Sequence, residues 1–233
     1  VHAQTSGQTD GVNEFEYIGA LSELDRIDKS GNLNQLMEKV IQPRSSSELK
    51  AYADWLKARV MNTDTREPLY YWGYSHLLRM SGINDTSALL FVTAVLMLQS
   101  ESARCADASA TSGKQHIALL MRSGLRVNYW AQSPEVRRQA RQFALREEER
   151  KRMGPATSWV CAGGMEEMIA AMEASAQGPS GKGAAVGSTS VNAVSAVGPR
   201  FLSDAAFDEQ RKRIRAEFDQ YFSNERNVQT SDR

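Results

Sequence analysis

Apolar residues along this chain recur every three or four positions, and no segment alternates convincingly at a period of two, so the pattern predicts helices almost throughout. The first is expected over residues 13–28, with Phe15, Ile18, Leu21, Leu24 and Ile27 on its apolar side and Ser30-Gly31 at its end. A short helix over 32–41 stops before Pro43. Ser45 and Glu48 then stand at capping-box spacing, opening a third helix with Leu49, Tyr52, Leu56 and Val60 on one side and Trp55 beside them. Pro68 suits the first turn of a fourth, which is the aromatic centre of the chain and ends at Gly82. Asn84-Asp85-Thr86 caps a fifth, 87–104, apolar all round through Leu98. A helix without a polar face must be surrounded by others, so this one is read as the central rod.

A sixth helix is expected from Gly113, with Ile117, Leu120 and Met121 apolar and Gly124 as its stop. Ser133-Pro134-Glu135 opens a seventh, whose stripe is Val136, Ala140, Phe143 and Ala144. Its second half, 146–152, loses apolar periodicity and is expected to project into water. An eighth, 157–176, carries Trp159, Met165, Met168, Ile169 and Met172. Composition then shifts. Residues 177–200 are Gly, Ser, Ala and Val with two prolines and no aromatic residue, the signature of a flexible linker. Beyond it, residues 201–222 form a last helix with Phe207, Ile214, Phe218 and Tyr221 as a partial stripe, free to fold back or to bind a partner.

The expected fold is therefore all-α: a bundle or αα-hairpin stack of about eight helices over 13–176, with a linker-tethered C-terminal helix. Residues 1–12 are expected to be a disordered mature N-terminus and residues 223–233 a disordered tail. Trp72-Gly73-Tyr74 with the helix after it loosely resembles one tetratricopeptide unit. The repeat of about 34 residues does not recur, and no family is assigned on it.

Composition changes this picture little. Of 233 residues 41 % are apolar and 24 % charged, enough for a real core. Lys plus Arg number 28 and Asp plus Glu 28, so overall charge steers the chain toward neither nucleic acid nor an anionic membrane. The most apolar run, 88–98, is shorter than the roughly 20 residues of a spanning helix, and no membrane insertion is expected. Val1-His2-Ala3-Gln4 has a signal-peptidase-like pattern with Ala3 at the −1 position. With the isolated pair Cys105 and Cys161, this suggests a disulfide formed outside the cytosol, in the periplasm or beyond.

The chemistry-bearing residues are sparse. Glu147-Glu148-Glu149 and Glu166-Glu167 read as solvated helix faces, and Asp64 with Glu67 is the least ordinary carboxylate pair. His2, His76 and His116 have no metal-ligand spacing, and no GxSxG elbow exists. Cys105 with His76 or His116 as base would be a nucleophile only if reduced. Gly178-Pro179-Ser180-Gly181-Lys182-Gly183 lacks the spacing and the Ser or Thr of a phosphate loop. Cys161, Met165, Met168 and Met172 could suit copper(I) but read as core filler. Arg137, Arg138 and Arg141, and Arg211, Lys212, Arg213 and Arg215, alternate with acids as solvated faces do. No cofactor or metal is expected.

The functional expectation is an exported, non-enzymatic interaction or structural protein that binds a protein partner, with Phe207, Ile214, Phe218 and Tyr221 as the contact stripe. The alternatives are an envelope enzyme of glycan-hydrolase type, with its site at residues 70–76 around Tyr70 and His76, and an immunity or inhibitor protein that blocks a toxin.

Overall fold

The computed structural model describes residues 12–62, 64–152, 156–165, 168, 169, 172 and 200–224. The linker expected at 177–200, apart from Arg200, lies outside them. So do both expected ends almost entirely, His2, and Glu166-Glu167. Among the described residues the fold is all-α: α1 (Glu14–Lys29), α2 (Leu33–Val40), α3 (Ser46–Met61), α4 (Pro68–Met80), α5 (Asn84–Ala103), α6 (Ser112–Arg122), α7 (Gly124–Ala131), α8 (Pro134–Arg150), a 3-10 turn (Ser158–Cys161) and α9 (Asp204–Ser223).

Local chemistry sets the helix ends. Asn13, Asn32, Ser45, Ser133 and Ser203 each accept a backbone N–H of the first turn through the side chain. At α3 the box is modified, because Glu48 accepts from the Arg44 N–H at 2.7 Å, not from the cap residue itself. Gly31 and Gly82 end α1 and α4 with positive φ, where a side chain would be strained.

The central rod is α5. Fourteen of its twenty residues are buried, and it packs against α4, α6, α7, α8 and α9. The whole 20-residue helix, not only 88–98, is long and apolar enough to cross a membrane, but 78 % of its most apolar window is covered by the rest of the chain. Two of its polar positions are satisfied locally: Ser75 Oγ donates to the Ser87 carbonyl at 2.7 Å across the α4–α5 contact, and Thr93 bonds back to Leu89 at 2.8 Å. Against α4 pack α2 and α3, with α1 packed on both of them, and Leu24, Ile27, Leu36, Tyr52 and Leu56 lie in the core. The apolar side of α1 closes only in its second half. Phe15 is 91 % exposed and Ile18 53 %.

Three expectations are corrected. Gly124 is not a stop but the first residue of α7, an extra helix that buries Leu125, Tyr129 and Trp130; it does not adopt positive φ, and a Cβ there would lie 2.9 Å from Arg79. The expected helix 157–176 is broken after Cys161. Gly163 turns at φ +75°, and a Cβ on Gly164 would sit 2.1 Å from the Asp107 carboxylate. Consequently Val160 and Cys161 are core while Met165, Met168, Ile169 and Met172 are exposed, not core filler. Finally, the second half of α8 does not project into water, for reasons given below.

The C-terminal helix belongs to the same body. Phe207, Phe218 and Phe222 are at most 4 % exposed, and Phe222 meets Phe91, Tyr129 and Trp130 ring to ring. Each such burial is worth about 1.5–3 kcal/mol, so undocking α9 would be costly. Leading into it, Phe201 pairs with Cys105 in an isolated antiparallel bridge, through Ala106 N–H to the Arg200 carbonyl at 3.0 Å and Leu202 N–H to that of Arg104 at 2.8 Å.

Candidate functional site

The aromatic helix α4 is structural. Tyr70 and Tyr71 are buried, and Trp72 and Tyr74 pack against the core. The Tyr70 hydroxyl donates to Asp28, and the Tyr71 hydroxyl to Glu147 at 2.6 Å. Burial, reinforced by these carboxylates, pushes both phenols' pKa up. Burial holds His76 below the ordinary histidine range. The ring faces of Tyr70 and Tyr71 are therefore spent internally, while Trp72 and Tyr74 stay half-buried.

The pair Asp64 and Glu67 separates. Asp64 is exposed, while Glu67 caps α4 by accepting the Leu69 N–H at 3.1 Å and holds the Trp159 indole N–H at 2.9 Å. Burial pushes the Glu67 carboxyl up to about 7 despite those two bonds. Trp159 in turn meets the His116 ring edge-on at 4.7 Å, and His116 Nδ1 lies 2.8 Å from the Ser112 carbonyl. Cys105 and Cys161 are joined to each other, with Cα atoms 5.3 Å apart, so Cys105 is no nucleophile and Cys161 no copper ligand in this state. Among the described residues no three His, Cys, Asp or Glu side chains converge on a metal position.

Both charged runs read as solvated faces are partly core. Glu147, Glu148 and Lys151 of the α8 end are buried, and so are Arg137 and Arg211. Glu148 accepts two bonds from Arg211, at 2.7 and 2.6 Å, one from Ser100 at 2.7 Å, and one from Arg215. Lys151 donates to the Val60 and Thr65 carbonyls at 2.8 and 2.7 Å, and burial lowers its pKa to about 8. Arg66 pairs with buried Glu101 and donates to the carbonyls of Lys151 and Arg152. Arginines thus cover open helix ends: Arg66 beyond α8, Arg137 at the Gln132 carbonyl after α7 (2.7 Å), Arg141 at the Phe222 carbonyl of α9 (3.2 Å). Arg138, Lys212 and Arg213 do face solvent.

The sequence held a signal for this. Positions 140, 144, 148 and 151 continue one helical stripe whose members change from apolar to charged, and Arg211 and Arg215 stand four apart on the helix that meets it.

A cleft and a group of exposed apolar side chains lie at the disulfide end. The cleft, of about 650 Å³, opens between α5, α6 and α9 beside Cys105, walled by Ile117, Met121, Val160, Ile214 and Phe218, with Gln99 among its lining. That size suits a small organic ligand. Three residues of the expected partner stripe, Ile214, Phe218 and Tyr221, line this cleft, Phe218 from its buried floor; Phe207 is turned into the body. Next to it, beyond the Gly163-Gly164 break, Met165, Met168 and Met172 are 62–63 % exposed and Ile169 45 %. The Met165 N–H is tied to Ser109 at 2.7 Å, which roots this apolar face on the loop after the disulfide.

Comparison with protein-family models, with curated proteins and with solved structures gives no match, so the functional reading rests on this geometry alone.

Proposed function

We propose that this chain is a non-enzymatic interaction protein of the cell envelope or exterior that binds a protein partner through the apolar face at Met165, Met168, Ile169 and Met172. The exposure of these four side chains together, on one segment anchored by the disulfide, carries the reading. Single exposed apolar residues need no explanation, but a clustered group does. Methionine is also the side chain best suited to adaptable contact surfaces. The buried charged constellations are engaged in internal pairs. The covered position of α5 supports a chain that does not insert into a bilayer. The contact surface moves from the α9 stripe to this face because Phe207 and Phe218 are occupied within the fold.

Site-specific photo-crosslinking in intact cells tests this. A crosslinker at Met168 is expected to give one discrete heterologous adduct, and one at Phe15, equally apolar and 91 % exposed, none. Adding Met165→Glu and Met172→Glu should remove the adduct without changing the circular dichroism of the purified chain. No adduct from position 168, or the same adducts from both positions, overturns the proposal.

A further inference from the structure

We propose that the cleft between α5, α6 and α9 is a binding site for a small uncharged amphiphile, an apolar body carrying one hydroxyl or amide that hydrogen-bonds Gln99. The volume of about 650 Å³ and the walls of Ile117, Met121, Ile214 and Phe218 define the apolar body. The polar requirement comes from Gln99. Its Oε1 is buried and meets no hydrogen-bond partner among the described residues, and such an atom carries a desolvation cost that a donor from a ligand removes. A hydroxyl or a primary amide serves either orientation of the Gln99 amide, because each both donates and accepts.

Charge selects against ions. The lining contributes Lys114 and Arg213 on one side of the balance and Asp107 and Glu217 on the other. Arg213 lies 3.7 Å from Glu217, and Lys114 donates to the Ala108 carbonyl at 2.8 Å. Two cations and two anions give the lining no net charge, and so no excess of either sign to favour a carboxylate or an ammonium. The walls come from distant parts of the chain held by the Cys105–Cys161 link and the Phe201 bridge. The site is therefore formed before a ligand arrives. This inference is independent of the methionine face.

Calorimetric titration of the full oxidised chain with 1-octanol, octanamide, octanoate and octylammonium reads the proposal directly. The alcohol and the amide should bind at one site and raise Tm, with both ions about tenfold weaker or more, because a charged head group sheds its water in a lining that offers no excess counter-charge. Gln99→Leu should erase the preference for the alcohol over 1-chlorooctane. Ile214→Trp should fill the cleft and abolish binding while keeping the helical spectrum and Tm. The idea fails if no probe saturates, if the ions bind as well as the alcohol, or if Ile214→Trp binds like the parent. Sedimentation run in parallel decides against it in another way: a dimer that Ile214→Trp dissociates would give the cleft to a second copy.

Discussion

Replacing Glu148 with alanine should be among the most damaging single changes in the protein. Glu148 is fully buried, and two arginines and a serine donate to it. Its removal leaves the Arg211 guanidinium, whose side chain is only 7 % exposed, without its main counter-charge. Breaking a buried pair from one side costs about 3–5 kcal/mol, since the survivor is a poorly compensated charge in a poor solvent; Glu149, 2.6 Å from Arg211 but half exposed, offsets only part of it. For a chain of this size about 2–4 °C of Tm accompanies each kcal/mol, so a fall of roughly 6–20 °C is expected. Urea unfolding followed by circular dichroism, with calorimetric Tm, measures both. The double change Glu148→Met with Arg211→Met removes both charges and should recover most of the loss. Acid gives a second handle. Burial alone would raise the Glu148 pKa, but the bonds from Arg211, Ser100 and Arg215 outweigh it and hold the carboxyl below its usual range. That stabilisation is present above the unfolded carboxyl pKa of about 4.3 and is lost as pH falls through the lower folded value, so parent and Glu148→Ala should converge in acid. A loss under about 1 kcal/mol at neutral pH, the size of a surface ion pair, would refute the reasoning.

Glu67 has the opposite sign. Its folded pKa, raised to about 7 by burial, means that folding favours the protonated form, so its contribution is fully present below about 4.3 and is lost as pH rises through 7. Glu67→Gln, which can still accept from Trp159, should therefore gain in urea midpoint over the parent between pH 5 and 8; an unchanged difference across that range contradicts the assignment. Gly113→Ala should destabilise by about 1–3 kcal/mol, because its Cβ would meet Ser102 Oγ at 2.2 Å and Val160 at 2.6 Å. Gly19→Ala, with nothing within 4 Å in exposed helix, should stabilise by about 0.5–1 kcal/mol, and equal effects at the two glycines would argue against the α5–α6 contact. Reducing the Cys105–Cys161 link, whose partners are 56 residues apart, should cost about 4 kcal/mol in the chain-entropy account; an unfolding midpoint indifferent to reductant would exclude that role.

Much of the fold was legible because helices announce themselves through periodicity and end signals. Ser45, Ser133, Pro68, Gly31 and Gly82 act as their types suggest, and an apolar-all-round segment became the buried rod α5. The misreadings share a cause: what a residue does depends on what faces it across the fold. Gly124 looks like a terminator until Arg79 is seen against it. The sulfur-rich spacing from Cys161 to Met172 looks like one stripe, but the turn at Gly163 divides it into a core half and an exposed half. Glu148 and Arg211 look solvated because their complements lie 63 residues apart and on different helices. The cleft was the least legible feature. Ile214 was marked as a contact residue, but an absent side chain leaves no trace in a sequence, and a void is known only from its walls.

The proposed role requires a disulfide-built end that binds its partner outside the reducing cytosol. The direct measurement is the intact mass of the protein taken from separated cell fractions, after alkylation with and without prior reduction. Predicted is recovery from the envelope or external fraction with no adduct until reductant is added, then two. Recovery from the cytosolic fraction with both thiols alkylated at once would contradict it.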